Sequence, residues 1–209
     1  ESYLLDNNQL SGVLPTGGSP NQLGQDIRYV YLQNNQIEGP LNLDMVDANQ
    51  IVELNLAGNK LTGTISSTIG DFRQVRSFDV SRNQLSGQVP ATLTMVDYIP
   101  GVSPSLNISY NALTSLPTTW QWGRNAAKWN FVDISHNLLT GAIPSNSYEL
   151  ANLYLQNNQL EGAVVYTFSR LNVANYQLTS LPSGCPPSRL WADNNQISAP
   201  LEASCGSCS

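Results

Sequence analysis

Along most of the chain, apolar residues recur in one arrangement: apolar, any, apolar, any, any, Asn, any, apolar. Val30, Leu32, Asn35 and Ile37 show it, as do Leu54, Leu56, Asn59 and Leu61, then Phe78, Val80, Asn83 and Leu85. Leu106, Ile108, Asn111 and Leu113 continue the series, followed by Val132, Ile134, Asn137 and Leu139 and by Leu153, Leu155, Asn158 and Leu160. The first copy is Tyr3, Leu5, Asn8 and Leu10; the last is Leu190, Ala192, Asn195 and Ile197. One further copy has Leu171, Val173 and Leu178, but Tyr176 stands in its Asn slot. Successive slots in these nine copies lie 27, 24, 24, 28, 26, 21, 18 and 19 residues apart.

Apolar-any-apolar is the period of a strand, with alternate side chains on opposite faces. The chain must then turn, and a buried turn leaves backbone N–H and C=O groups to satisfy. An asparagine, with one acceptor and two donors, can satisfy them. A single copy cannot bury its apolar face alone, so the copies stack. The pattern therefore predicts nine coils, one parallel sheet, and a structural ladder of Asn8, Asn35, Asn59, Asn83, Asn111, Asn137, Asn158 and Asn195.

Several copies continue past the slot as Leu-x-Gly-x-Ile/Val-Pro, for example Leu85-Ser86-Gly87-Gln88-Val89-Pro90 and Leu139-Thr140-Gly141-Ala142-Ile143-Pro144. This resembles the leucine-rich repeat (LRR) family, in its plant-type form found in receptor-kinase ectodomains and polygalacturonase-inhibiting proteins. The resemblance implies an α/β repeat solenoid: a right-handed superhelix with a parallel concave sheet and a mostly irregular or 3-10 convex side. It covers residues 1–201, leaving 202–209 as a Cys-containing tail. Two copies, Leu113-Thr-Ser-Leu-Pro117 and Leu178-Thr-Ser-Leu-Pro182, lack the glycine. Glu1 falls inside a repeat, so the chain is expected to be a fragment without an N-terminal cap. Residues 15–24 and 98–104 read as loops, and 118–128 as room for a short helix, with Trp120, Trp122 and Trp129 packing against the core.

Composition narrows the function. Charged residues make up only 11% of the chain and the formal net charge is -6, which argues against a nucleic-acid partner. No run approaches the 18 apolar residues of a membrane span. The cysteines are Cys185, Cys205 and Cys208. Cys185 and Cys205 are about one local repeat apart, a spacing compatible with a C-terminal disulfide and an oxidising compartment, with Cys208 as the alternative partner. A zinc half-site at 205–208 would lack ligands, because the sequence has one His. Asp133, Ser135 and His136 contain the ingredients of a triad, but neighbouring strand positions point to opposite faces. Hydroxyls such as Ser67 and Thr68 do not recur at one phase, as an ice-binding ladder would require. The sequon Asn107-Ile-Ser109 falls on a strand, where a glycan would obstruct the sheet face. No catalytic group, metal or cofactor is expected.

The outward strand positions form three columns. Tyr29, Glu53, Phe131, Arg170 and Arg189 belong to the first; Tyr31, Asp79, Asp133, Tyr154 and Trp191 belong to the second. The third holds Asp6, Gln33, Ala57, Ser81, Ser109, Ser135, Gln156, Ala174 and Asp193 and is also expected to face outward. Aromatic and arginine anchors among polar groups suit a protein or peptide interface, and aromatics with amides also suit carbohydrate. The expectation is non-catalytic recognition by an extracellular or cell-surface domain. The alternatives are a structural cell-wall or matrix protein and an inhibitor of a secreted hydrolase. Oligomeric state is not legible.

Overall fold

The computed structural model describes residues 1–15, 23–24, 26–94, 103–120, 129–144, 152–161, 170–172, 174, 189–192 and 194. Each copy of the apolar pair forms a three-residue strand: β1 (Ser2–Leu4), β3 (Tyr29–Tyr31), β5 (Glu53–Asn55), β7 (Ser77–Asp79), β9 (Ser105–Asn107), β11 (Phe131–Asp133), β13 (Asn152–Tyr154), β15 (Arg170–Asn172) and β16 (Arg189–Trp191). They pair in parallel in that order as one nine-stranded sheet. The register carries each repeat onto the next, Tyr31 opposite Asn55, Asn55 opposite Asp79, and Asp79 opposite Asn107. This is the solenoid with a parallel concave sheet that the repeat predicts.

The apolar positions face inward and are buried: Leu54, Leu56 and Leu61 in one coil, Phe78, Val80 and Leu85 in the next, then Leu106, Ile108 and Leu113. Phe72 packs edge-on against Phe78, with ring centroids 6.3 Å apart. Trp120 and Trp129 are buried as expected, and Trp129 Nε1 donates to the Leu93 carbonyl at 2.7 Å. The loop expected over 98–104 and the helix expected over 118–128 fall mostly outside the described residues, as do Tyr176, Asn195 and all three cysteines.

The ladder asparagines work as the pattern requires. Asn59 Nδ2 donates to the carbonyls of Leu56 and Ala57 in its own turn and of Leu32 one coil back, while its Oδ1 accepts from the Ile37 amide. Asn35, Asn83, Asn111, Asn137 and Asn158 likewise donate within the turn and to the preceding coil and accept one of that coil's amides. Asn35, Asn59, Asn137 and Asn158 are buried; Asn83 and Asn111 are half-buried with the same bonds. Asn8, in the first coil, is exposed, and among the described residues its side chain bonds only to the carbonyls of Leu5 and Asp6 in its own turn.

The far side is more regular than expected. Beyond each slot the Leu-x-Gly segment adds a second short strand. β2 (Ser11–Val13), β4 (Gln36–Pro40) and β6 (Lys60–Thr62) form one small sheet, and β8 (Ser86–Gln88), β10 (Ala112–Ser115), β12 (Thr140–Ala142) and β14 (Gln159–Glu161) form another. The 3-10 character predicted for the convex side is found at Leu43–Met45, Ser67–Asp71 and Ala91–Thr94.

Candidate binding face

The sheet face is built from side chains at the first and third position of each strand. The first position reads Tyr29, Glu53, Ser77, Ser105, Phe131 and Asn152, and the third reads Tyr31, Asn55, Asp79, Asn107, Asp133 and Tyr154. Register places each beside its namesake one strand away, about 4.8 Å distant. The backbones of Arg170, Arg189 and Trp191 continue the columns, with Arg170 opposite Arg189 and Asn172 opposite Trp191.

Two aromatic groups mark the face. Phe131 and Tyr154, on neighbouring strands, pack with centroids 5.1 Å apart and planes tilted by 39°. Both are half-buried, and Asp133, opposite Tyr154, stands beside them. Toward the other end, the Tyr31 hydroxyl donates to Glu53 Oε2. That hydrogen bond, with burial and the Glu53 charge behind it, raises the phenol from its usual 10.0 to about 12. Tyr29 is exposed next to this pair.

The acids of the middle column serve the fold as well as the surface. Asp79 Oδ1 and Asp133 Oδ1 each accept from the backbone amide two residues on, Ser81 and Ser135, at 2.9 Å. Asn55, Asn107 and Asn172 do the same for Ala57, Ser109 and Ala174 at 3.1 Å. Each closes an Asx turn that bends the chain out of the strand. The recurrence of Asn or Asp at this position in β5, β7, β9, β11 and β15, interrupted by Tyr154 in β13, is the sequence signal of this role. The second oxygen of Asp79 still accepts from Asn107 Nδ2 at 3.3 Å.

The third column is only partly surface: Gln33, Ala57 and Gln156 are half-buried, as most of the first two columns are. Ser81, Ser109 and Ser135 are buried, and so is Ala174. The Asx turn rotates these residues away from the pleat, so strand alternation fails one residue past the strand. The triad reading fails with it. Ser135 is covered, Asp133 binds its amide, and the ring nitrogens of His136 face Asn157 Nδ2 at 2.9 and 3.3 Å. Asn107 of the sequon is engaged by Ser109 and Asp79. Exposed hydroxyls on the short far-side strands, such as Ser86 and Thr140, share their sheet with Gln88, Gln159 and Glu161 rather than forming an unbroken ladder.

A second column escaped the sequence reading. The residue just before each ladder asparagine has a left-handed backbone: Asn7, Asn34, Gly58, Arg82, Tyr110, His136, Asn157 and Asn194 have φ between 53 and 64°. Asn and Gly tolerate this conformation, which explains the doubled asparagine in four copies. Arg82, Tyr110 and His136 do not share that tolerance, and they stack. The Arg82 guanidinium carbon lies 4.4 Å from the centre of the Tyr110 ring, which lies 3.9 Å from the His136 ring at a 9° interplanar angle.

The sequence model of the Leucine Rich Repeat family matches residues 50–72. No curated protein matches the chain. Solved structures do. The plant peptide hormone receptor RGFR1, in complex with RGF2, superposes with a TM-score of 0.67 at 23% identity, over 85% of this chain and 28% of that one. The Arabidopsis receptor kinase HAESA, in complex with the peptide hormone IDA and the co-receptor SERK1, gives 0.65 at 24% identity, over 85% and 30%. A plant ice-binding protein gives 0.57 at 20% identity, over 95% and 75%. At these identities the likeness is one of fold. The chain spans less than a third of the two receptor chains. Among the described residues, no helix is long and apolar enough to cross a membrane, and no group of three His, Cys, Asp or Glu gathers as a metal site would need.

Proposed function

We propose, for this chain built of leucine-rich repeats, that the concave sheet is a recognition surface for a protein or peptide, without catalysis, in an extracellular or cell-surface setting. The observation that carries the reading is the Phe131–Tyr154 pair with Asp133 beside it, on rigid strands and half-buried before any ligand arrives. Aromatic groups fixed in advance lose little entropy on binding and act as anchors. Asp79 and Asp133 add a negative centre suited to a basic segment, and Tyr29 with the Tyr31–Glu53 pair offers a second anchor on β3 and β5. Arg170, Arg189 and Trp191 would extend the face toward the C-terminal coils. The peptide hormones in the two receptor complexes make a peptide the first ligand class to test.

Peptides selected from a random display pool on the purified domain provide the probe. Their affinity should fall about 30-fold or more in Phe131→Ala/Tyr154→Ala, the loss typical of a central anchor. Their association rate should drop as salt rises and lose that dependence in Asp133→Asn. Peptides that ignore both changes but are lost with Asp71→Ala, on a convex 3-10 helix, would place recognition elsewhere. Selection that recovers no peptide, alongside binding of oligosaccharides at Phe131 and Tyr154, would move the reading to carbohydrate.

A further inference from the structure

The Asx turn explains why the third strand position carries an oxygen, but not why it carries a charge. Asn55, Asn107 and Asn172 close the same turn as Asp79 and Asp133. Asp79 uses its charge within the face, where its second oxygen accepts from Asn107 Nδ2 at 3.3 Å. Asp133 does not. Its Oδ1 accepts from the Ser135 amide, and among the described residues nothing donates to Oδ2. The neighbouring Asn107 is committed elsewhere: its Oδ1 accepts from the amide and hydroxyl of Ser109, and its Nδ2 is turned to Asp79.

Glu53, on β5, repeats the arrangement. Its Oε2 accepts from the Tyr31 hydroxyl, and among the described residues nothing donates to its Oε1. Both carboxylates are half-buried, and each stands among aromatic groups: Asp133 beside Phe131 and Tyr154, Glu53 beside Tyr29 and Tyr31. From β1 to β13 the first and third strand positions hold no Lys or Arg that could serve as a counter-ion. The stretch between the two carboxylates is satisfied within itself. There Ser105 Oγ donates to Ser77 Oγ at 3.3 Å, and Asn107 donates to Asp79.

A half-buried carboxylate has already lost part of its hydration, so a cation that reaches it forms a strong charge-assisted bond. Aromatic faces beside it add a further attraction for that cation. Three strand steps separate β5 from β11. At about 4.8 Å per step, and with Glu53 first and Asp133 third in its strand, the two carboxylates lie about 16 Å apart. An extended peptide rises about 3.3 Å per residue and turns alternate side chains to one face. Residues four apart in it share a face and stand about 13 Å apart, and long basic side chains cover the remainder. We infer that the sheet face reads a pair of basic side chains, lysine or arginine, four residues apart in an extended peptide. One meets Asp133 beside Phe131 and Tyr154, the other meets Glu53 beside Tyr29 and Tyr31, and a small residue midway passes over the self-satisfied centre. The inference rests on the sheet face being the recognition surface and gives the ligand of that surface a charge pattern.

The test uses capped peptides of alanine and serine, titrated into the isotope-labelled chain and followed by nuclear magnetic resonance at the Glu53, Asn107 and Asp133 amides. One peptide carries two lysines four residues apart, a second carries them two apart, and a third has glutamine in place of one lysine. The first should shift the signals saturably and bind more tightly than the second, and about tenfold more tightly than the third. Asp133→Asn keeps the Asx turn and Glu53→Gln keeps the acceptor for Tyr31, so each removes a charge from a folded protein. Each should weaken the first peptide about tenfold, as loss of a charged hydrogen bond does. Asp79→Asn, an equal loss of charge, should weaken it less than about twofold, because at that distance the charge is screened. Absence of saturable shifts with the first peptide, or equal binding of all three, would overturn the assignment. Equal losses in Asp79→Asn and Asp133→Asn would also overturn it, reducing both sites to a diffuse negative field. Peptides from the random pool that are lost in Phe131→Ala/Tyr154→Ala but ignore both Asp133→Asn and Glu53→Gln would overturn it while leaving the sheet face as the recognition surface.

Discussion

In six of the described coils, those of Asn35, Asn59, Asn83, Asn111, Asn137 and Asn158, a single asparagine side chain connects two turns. Asn83 donates to the carbonyls of Val80 and Ser81 in its own turn and of Leu56 one coil back, and accepts from the Leu61 amide, all at 2.9–3.1 Å. Asn83→Ala would leave the Leu61 amide without this acceptor, while the Leu56, Val80 and Ser81 carbonyls each lose one donor and keep another in Asn59, Asn111 and the Gly58 amide, at a cost of about 1–3 kcal/mol. Asn83→Asp should cost more than Ala, because a carboxylate keeps the acceptor for Leu61 but faces three carbonyl oxygens. Urea unfolding of the two variants checks the order, and an Asp variant as stable as wild type would mean the three donor bonds contribute nothing. Tyr31 carries the second prediction at this scale. Its folded pKa of about 12 exceeds the ordinary 10.0 because the neutral phenol donates to Glu53. The stabilisation is therefore complete below pH 10 and disappears as pH rises through 12. Ultraviolet titration should show one tyrosine ionising last, and Glu53→Gln should return it toward 10.

Between residues and coils, the far-side strands depend on where glycine is present. Gly39, Gly63, Gly87 and Gly141 occupy one repeat position with φ near 80°. Ser115 occupies that position in its own coil, and there the register between β8 and β10 slips, Leu113 pairing with Gly87 but Ser115 with Gln88. The missing glycine was visible in the sequence, and the slip is its physical consequence: serine avoids the left-handed turn, so the strand bulges instead. Gly87→Ala should be more damaging than Gly141→Ala. Both incur a strain of about 1–2 kcal/mol, but the new Cβ at 87 would sit 2.9 Å from Thr64 Cγ2, whereas at 141 nothing lies within 4 Å. Thr64→Ser, which removes that methyl, should bring the Gly87→Ala loss down to that of Gly141→Ala. The inward columns and the outward pair were legible because a strand has a period of two. The third column was not, because Asp79 and Asp133 close turns that end the period at Ser81 and Ser135. The rim stack was hidden for a different reason: Arg82, Tyr110 and His136 lie 28 and 26 residues apart, and only the left-handed backbone turns them into neighbours.

Over the whole solenoid, stability comes from each coil's contact with the next, and the coils are not equally covered. In the coil of β5, Leu54, Leu56 and Leu61 are all 0% exposed; at the matching positions of the first coil, Tyr3, Leu5 and Leu10 are 37, 41 and 38% exposed. Yet the backbone bonds are alike: Leu5 and Asn7 amides donate to Tyr31 and Gln33 at 2.9 Å, and Leu56 and Gly58 amides donate to Asp79 and Ser81 at 2.8 and 2.9 Å. Hydrogen-bond geometry alone would predict equal protection. For residues 1–209 expressed by themselves, nearest-neighbour stacking predicts otherwise, since a coil packed on one side can open without its neighbours while a central coil must break two interfaces. Native-state hydrogen exchange should therefore release the Leu5 and Asn7 amides at a lower free energy than Leu56 and Gly58, whose protection should approach that of global unfolding. Asn83→Ala should lower the protection of Leu56 and Gly58 by the full stability change and leave Leu5 and Asn7 nearly unaffected. Uniform protection from Leu5 to Gly58, shifting as one block in Asn83→Ala, would mean that the chain opens all at once and that the exposed first coil is as firmly held as the buried ones.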